Sequence, residues 1–536
     1  MIALSAPAQS KWLWRIIAAL LILVSGAAHF RYLAHDCPLD LAPDEAHYWQ
    51  WSRHLDASYY SKGPLVAWLI RASCELLGDN VLAVRLPAVI CGSLLLVSFY
   101  VLTAQAFGRE HLSALVVGAA LTMPVFSAGR TVMTIDAPYA CCWGWALVLG
   151  HAALVRGSRW AWLPLGLVIG LGILAKYTML LWLPSAFLFL LISRPLRTPW
   201  REPRFWLGCG IALLCCLPIV WWNMRHDWVT LRHLSGQASL SESVSQHAIR
   251  WTGPLEFLAG QLGMLMGYWF VVWACSAIAQ RPGRAVDPSR RYLWCMSAPM
   301  VLFFALFSLR TPVLPNWPIT AYCSGLILAT PWLARQWTDG RPWKRALFLV
   351  PTGAALLFGL VTTLIAHDTA PARPLLVAMA GPPTAADPQP LRRFDPTCRM
   401  RGWHYLAGHV DQIREELRAN GTEPVPAASR WTLASELAFY CEGRPMVYSL
   451  GSALWDRQSQ FDLWRPNPIH DPEQFHGQTF IFVDVGGLPP EMQAAFESIE
   501  RRPTVHYEED GCPIAFWDIA ICRGFRGFTK APNRQY

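Results

Sequence analysis

Leu41-Ala-Pro-Asp-Glu-Ala-His-Tyr-Trp-Gln-Trp51 places two adjacent carboxylates, Asp44 and Glu45, just past the first long apolar run of the chain. Tyr48, Trp49 and Trp51 beside them are residue types that favour the headgroup level of a bilayer. Acids this close to hydrocarbon are costly, so a functional site is the default reading. A loop that merely happens to be acidic is the competing one, and on this pair alone the two are balanced. The rest of the chain moves the balance.

Hydrophobic residues make up 54% of the 536 positions and charged residues 15%. Soluble domains carry roughly 25% charge, so this composition belongs to a membrane protein. The net charge of +9 is not a nucleic-acid signature, because the basic residues sit at the ends of apolar segments, where they set orientation. Most of the 15 cysteines lie inside apolar stretches, with no CxxC pair and no HExxH run, which argues against structural zinc. No Gly-rich phosphate loop precedes a helix, so nucleotide binding is not indicated. The N-terminus, with Lys11, Arg15 and an apolar run to Ala28, has the outline of a signal peptide. Its length and the many spans that follow favour an uncleaved first helix.

Working outward, apolar stretches predict eleven helices: 13–32, 81–106, 112–129, 137–155, 160–175, 177–193, 205–222, 256–280, 292–309, 317–334 and 346–366. With a cytoplasmic N-terminus, the connections on that side carry Arg109; Arg156 and Arg159; Arg194, Arg197, Arg201 and Arg204; Arg281, Arg284, Arg290 and Arg291; Arg335, Lys344 and Arg345. That is a positive-inside pattern. The other face collects Asp44-Glu45, the Arg130–Asp136 turn, Lys176-Tyr177, the 223–255 loop and Arg310–Trp317, so the unusual polar residues gather on one side. Residues 33–80 read as one or two amphipathic helices lying at the interface. Residues 371–390 read as a Pro/Ala-rich linker and 391–536 as a small extracytoplasmic α/β domain. In that domain Phe480–Val485 is a buried strand, while 412–418 and 490–501 are surface helices. Cys398, Cys441, Cys512 and Cys522 allow three disulfide pairings, with Cys512–Cys522 favoured for proximity alone. Asn420-Gly-Thr422 is a sequon of a kind common by chance.

The candidates for chemistry are Asp44 and Glu45, then Asp136 in Arg130-Thr-Val-Met-Thr-Ile-Asp-Ala-Pro138. A carboxylate at the interface can take a proton from a hydroxyl acceptor or orient it for attack. Asp136 equally fits a helix cap, since Pro138 follows early in a helix. Lys176 ends an apolar stretch, where it either snorkels to the surface or contacts a phosphate. Arg53, Lys62, Arg71, Arg85, Arg130, His226, Arg232, His233 and Arg310 are further cations on the same face. Cations and a few acids at one membrane face suit an anionic lipid headgroup and the charge that develops on a leaving phosphate.

These residues carry a resemblance. In order, Asp44-Glu-Ala-His-Tyr-Trp49, Tyr59-Tyr-Ser-Lys-Gly-Pro-Leu-Val-Ala-Trp-Leu-Ile70, Gly78-Asp-Asn-Val-Leu-Ala-Val-Arg-Leu-Pro87, Thr134-Ile-Asp-Ala-Pro138, Gly166–Tyr177, Pro218–Trp228 and Pro315-Asn-Trp-Pro318 resemble the dolichyl-phosphate-mannose–protein mannosyltransferase-like membrane glycosyltransferases of the GT-C class. Bacterial aminoarabinose transferases of lipid A and rhizobial lipopolysaccharide sugar transferases are in that group. Ser459-Gln-Phe-Asp-Leu-Trp464 is similar to the soluble domain of bacterial members. The chain departs from the pattern at Lys62-Gly63, where the family usually reads His-Pro.

The resemblance implies a polytopic helical GT-C fold and transfer of a sugar from a polyprenyl-phosphate donor, with inversion, to a lipid, glycan or protein acceptor. The site would lie outside the cytoplasmic membrane. Asp44 maps to the family's proposed base, supported by Glu45 and Asp136. Those two would orient the acceptor or hold a divalent cation, which nothing in the sequence demands. Lys176 with Arg85, Arg130 and Arg310 would clamp the donor phosphate. Tyr48, Trp49, Lys62, Tyr177, His226, Asn316 and Trp317 are the candidates for substrate contact. The rivals are a lipid flippase or solute transporter and a non-catalytic component of a polysaccharide machine. Transporters usually show repeated halves and midplane charges. Here no repeat is visible and the charges gather at one face.

Overall fold

A computed structural model describes residues 8–193, 199–237, 249–283, 286–338, 341–454, 456–529 and 533. Arg194, Arg197, Arg284 and the middle of the 223–255 loop lie outside the described residues. The chain is a polytopic helical membrane protein with a C-terminal sheet domain. Four described helices are long and apolar enough to cross a bilayer, or five if one bent pair counts as a single span. Val81–Phe107 and Pro203–Arg225 are two of them.

Each of the eleven expected helices has a helical counterpart, but three differ in ways that matter. The helix expected over 112–129 stops at Leu121, because Pro124 has no amide to donate and disfavours helix before it. The irregular stretch that follows carries the Met133 amide into the site. The span expected over 256–280 is two helices, Gly253–Met264 and Tyr268–Ala279, bent by 112° where Met266 and Gly267 both adopt positive φ. The span over 292–309 breaks between Cys295 and Ala298, with Pro299 opening the second piece.

Of the one or two interfacial helices expected in the first long connection, one has the amphipathic face and the other is core. Leu65–Leu77 is amphipathic and leaves Leu76 84% exposed. Pro43–Arg53 instead is buried along its whole middle, with Trp49 and Trp51 at 0% and 1% exposure. It lies between the bundle and the helix Trp431–Tyr440 of the C-terminal domain, in a core that joins Trp49, Val66, Ala83 and Met133 to Leu437, Ile481 and Trp517.

In that domain β1 (Val425–Ala428), β2 (Tyr448–Ser449) and β3 (Phe480–Asp484) run parallel. β4 (Phe496–Arg501) and β5 (Val505–Glu509) pair antiparallel with β6 (Cys512–Phe525), as does β3, giving the order β2-β1-β3-β6-β4 with β5 on β6. Residues 490–501 are therefore a short helix, Pro490–Ala495, and a strand rather than one helix. Cys512 and Cys522 lie on one strand, about 33 Å apart at ~3.3 Å per residue, so they cannot bridge. The linker is also structured: Arg373–Ala380 is helical, and Arg373 pairs with Glu509 and Asp510.

Candidate active site

The acidic pair divides into two unlike roles. Glu45 is fully buried and holds Arg85, itself 1% exposed, through Nε (3.0 Å) and Nη2 (2.8 Å). Its Oε1 also accepts the Met133 amide at 2.7 Å, and its Oε2 accepts the Ala42 amide at 2.9 Å. Arg85 spends its remaining donors on the carbonyls of Leu39 (3.1 Å) and Asp40 (2.6 Å) and on Cys37 Sγ (3.3 Å). Glu45 is thus a clamp that ties the first connection to the Val81–Phe107 helix, and Arg85 has no face left for a phosphate.

One residue away, Asp44 points the opposite way. No hydrogen bond or ion pair holds its carboxylate among the described residues. It opens into a cleft yet has protein on most sides, so water reaches it while its surroundings are poorly polarisable. Burial accordingly raises its carboxyl above the usual range, Lys62 and Arg457 oppose that rise, and Glu45 and Asp136 add to it.

Asp136 opens the helix Asp136–Leu154 but does not cap it. Its Oδ1 accepts from Lys176 Nζ at 2.6 Å and its Oδ2 from Asn316 Nδ2 at 2.9 Å. Lys176 ends the helix Trp162–Ala175 and also lies 5.5 Å above the Tyr139 ring. Lys62 completes the group. Its turn is closed by the Tyr59 amide on the Lys62 carbonyl (3.2 Å), and the Tyr60 amide is held by Gln460 (2.7 Å). Gly63 lies so close to the Leu174 carbonyl that a Cβ would meet its oxygen at 2.1 Å. Burial lowers the Lys62 amine to about 8, with Lys176 adding to the drop and Asp136 and Asp44 opposing it.

Two cavities meet at Asp44, Tyr48, Lys62 and Leu314. The first, of 570 Å³, runs along the bundle; Leu180, Leu181, Phe303, Phe304, Phe307 and Trp317 give it apolar walls, and Asp136, Lys176, Tyr177 and Asn316 a polar end. The second, of 960 Å³, lies under the C-terminal domain and is lined by Arg392, Arg399, Arg430 and Arg457, with Trp403 and Trp431 among them. The first suits a hydrocarbon chain ending in an anion, the second a polar anionic molecule.

Sequence reasoning brings Asp44, Asp136, Lys62, Lys176, Tyr48, Tyr177, Asn316 and Trp317 to these cavities, and misplaces six residues. Glu45 and Arg85 are spent on each other. Arg130 is 3% exposed and donates to Ser25 and Ser93 between helices. Arg310 is exposed and lines neither cavity. His226 stacks on Trp222 at 4.0 Å, and its place is taken by His233, which is 1% exposed and lines the larger cavity. Trp49 is core, its indole bonded to Asp79 at 2.8 Å. A cation shared by Glu45 and Asp136 does not fit, because arginine already neutralises one carboxylate and lysine the other; no cluster of three ligands occurs among the described residues. The arginines of the C-terminal domain escaped notice. Arg457 lies just before the Ser459–Trp464 motif, which is the one signal that pointed there.

Residues 61–222 match the family described as dolichyl-phosphate-mannose-protein mannosyltransferase. A lipid A galacturonosyltransferase, RgtD, of Rhizobium johnstonii is 32% identical over 329 residues, which is 60% of this chain and 66% of that protein. An undecaprenyl phosphate-alpha-4-amino-4-deoxy-L-arabinose arabinosyl transferase of Sodalis glossinidius is 27% identical over 308 residues, 51% of this chain and 52% of that one. The chain thus spans just under two thirds and about half of these curated relatives. The crystal structure of ArnT from Cupriavidus metallidurans shares its fold, with a TM-score of 0.57 at 17% identity over 96% of this chain and 98% of that one. The same protein bound to undecaprenyl phosphate gives 0.58.

Proposed function

We propose, from its membership of the GT-C family of membrane glycosyltransferases, that this chain moves a sugar from a polyprenyl-phosphate carrier to an acceptor hydroxyl on a lipid, glycan or protein. The reaction takes place at the outer face of the cytoplasmic membrane. The observation that carries the reading is the junction of the two cavities at Asp44 and Lys62.

The donor's hydrocarbon lies along the apolar cavity, with its phosphate against Lys176 and Lys62. The acceptor enters through the arginine-lined cavity under the C-terminal domain. Its hydroxyl gives a proton to the Asp44 carboxylate as the oxygen attacks the anomeric carbon. The bond from that carbon to the phosphate oxygen breaks, and polyprenyl phosphate leaves with its new charge met by the two lysines. A single displacement of this kind inverts the anomeric carbon. Asp136 positions Lys176 through the 2.6 Å contact and does not touch the acceptor. Donor and acceptor seated in the two cavities displace water from the junction, favouring transfer over hydrolysis.

The test is transfer from a radiolabelled polyprenyl-phosphate sugar by the Asp44→Asn protein. Loss of at least a hundredfold in kcat, with an unchanged melting temperature, is expected, about the worth of a general base. Transfer near the wild-type rate would rule Asp44 out as base. Movement of the labelled lipid without cleavage would favour a flippase.

A further inference from the structure

A third cavity, of 600 Å³, lies at the far end of the bundle from Asp44. The helix Val81–Phe107 shows the separation: Arg85 near its start holds Glu45, and Arg109 follows its end, about 36 Å away at ~1.5 Å per residue. Ile319–Thr338 runs the same course, from beside Asn316 to Arg335 in its last turn.

Three guanidinium groups line this cavity: Arg109, Arg290 and Arg335. None forms an ion pair among the described residues, and Arg109 and Arg335 lie close enough to Arg290 to repel its charge. The nearby acids do not relieve them. Glu110 is taken by Arg15 at 2.7 Å. One Asp287 oxygen accepts the Ser289 and Arg290 amides, which leaves a single carboxylate against three cations. The indole N–H of Trp337, also in the wall, has no partner among the described residues. Phe107, Leu112 and Leu115 form an apolar side, and Leu115 is 37% exposed toward the lipid surface of the bundle. Three cations held close together against one carboxylate, beside an apolar wall at a bilayer surface, call for an anion that carries hydrocarbon.

We propose that this cavity is a binding site for the phosphate headgroup of an anionic phospholipid, drawn from the leaflet opposite the catalytic cavities. Arg109, Arg290 and Arg335 hold the phosphate, Trp337 donates to it, and the acyl chains leave along Leu112 and Leu115. The site would anchor the far ends of three helix-bearing segments at one point. It is independent of which sugar or acceptor the enzyme uses.

The experiment uses full-length protein in nanodiscs of phosphatidylcholine with a minority of phosphatidylglycerol, and counts retained phosphatidylglycerol by native mass spectrometry. Wild type should retain it preferentially. Arg290→Gln with Arg335→Gln should weaken retention about 25-fold, at roughly fivefold per interfacial cation. The charge-keeping pair Arg290→Lys with Arg335→Lys should restore most of it, which separates binding from misfolding. Arg156→Gln, at the same end of the bundle but outside the cavity, should change nothing. Retention by the Gln pair equal to wild type would overturn the proposal. So would an equal loss in Arg156→Gln, which would mean diffuse charge rather than a built site. Displacement of the lipid by inorganic phosphate alone would also overturn it, in favour of a free-anion site.

Discussion

Glu45→Gln should loosen the protein before it touches the chemistry. Arg85 and Glu45 are at 1% and 0% exposure, so the substitution leaves a guanidinium in the interior without its counter-charge. Removing one partner of such a pair costs about 3–5 kcal/mol. The amide cannot rescue it, since its NH2 would face the Arg85, Met133 or Ala42 donors that the carboxylate accepts. Arg85→Met should cost a similar amount, so additive losses would sum to about 6–10 kcal/mol. Glu45→Leu with Arg85→Met removes both charges; it orphans the Ala42 and Met133 amides and the Leu39 and Asp40 carbonyls, but the single variants orphan these as well and leave a buried charge besides. The double variant should therefore be markedly more stable than the sum of the singles. The assay is a denaturant melt of detergent-purified full-length protein, run beside labelled-sugar transfer. Additive losses would refute the clamp. A Glu45→Gln protein that melts like wild type and transfers nothing would show that Glu45 acts on substrate.

Transfer should follow a bell against pH. Asp44, raised by burial, loses its role as base to protonation at a pH above the ordinary carboxylate range, which gives the acid limb. Lys62, lowered to about 8, loses its charge as pH rises through that value, which gives the alkaline limb. Lys62→Arg cannot titrate there and should remove the alkaline limb; an unmoved limb would exonerate Lys62. Glu436 is 1% exposed, and neither of its oxygens has a partner among the described residues. Burial raises its carboxyl well above the ordinary value, Asp40 and Glu45 add to the rise, and Arg85 opposes it. The folded state therefore binds this proton more tightly than the unfolded chain, and stability falls as pH rises above the unfolded value near 4.3, by about 1.4 kcal/mol per pH unit until the folded group ionises. Glu436→Gln has no proton to lose and should melt higher than wild type at pH 8 and equally near pH 4; a lower melting point at pH 8 would sink the idea. Gly63→Ala would drive a Cβ into the Leu174 carbonyl at 2.1 Å, and backbone must move to admit it. Transfer should fall about tenfold or more, as expected of a group displaced by about an ångström, with helix content by circular dichroism unchanged; near-normal transfer would show that the Lys62 turn is not held there.

What the chain discloses unaided follows from how local each signal is. Apolar length predicts the helices because a span must satisfy its own backbone, a requirement contained within one segment. The three misdrawn helices fail at Pro124, Gly267 and Pro299, where a local breaker meets tertiary packing that no window average sees. The segment Pro43–Arg53 has the composition of an interfacial helix, and only its burial by the C-terminal domain makes it core. The same holds for β4, whose apolar Phe496 and Ile499 have helical spacing and which is a strand because β6 lies beside it. Disulfide proximity along the chain misleads for a related reason. Two cysteines ten positions apart are close in a turn and distant in a strand.

At the site the limit is sharper. Asp44 and Glu45 are neighbours with the same chemistry, and nothing in their sequence tells base from clamp. The difference lies in which of them Arg85 reaches from forty positions along, and helix geometry alone turns adjacent side chains to different faces. Arg85, Arg130 and Lys176 likewise read as equivalent cations. Arg85 has a buried carboxylate and Arg130 has two hydroxyls, whereas Lys176 has Asp136 in a cavity that a substrate can enter. The departure at Lys62-Gly63 is the instructive case. With His-Pro at those positions, a pyrrolidine ring would stand where the Leu174 carbonyl now lies against Gly63. A glycine there lets the first connection approach the end of the Trp162–Ala175 helix, which brings the Lys62 amine into the field of Lys176. Two lysines there face two carboxylates, Asp136 and Asp44, so a surplus cation arises once Asp44 has taken the acceptor's proton. In the proposed reaction that surplus is filled by the departing phosphate, so Lys62 and Gly63 would have to change together for the family's usual residues to work in this chain.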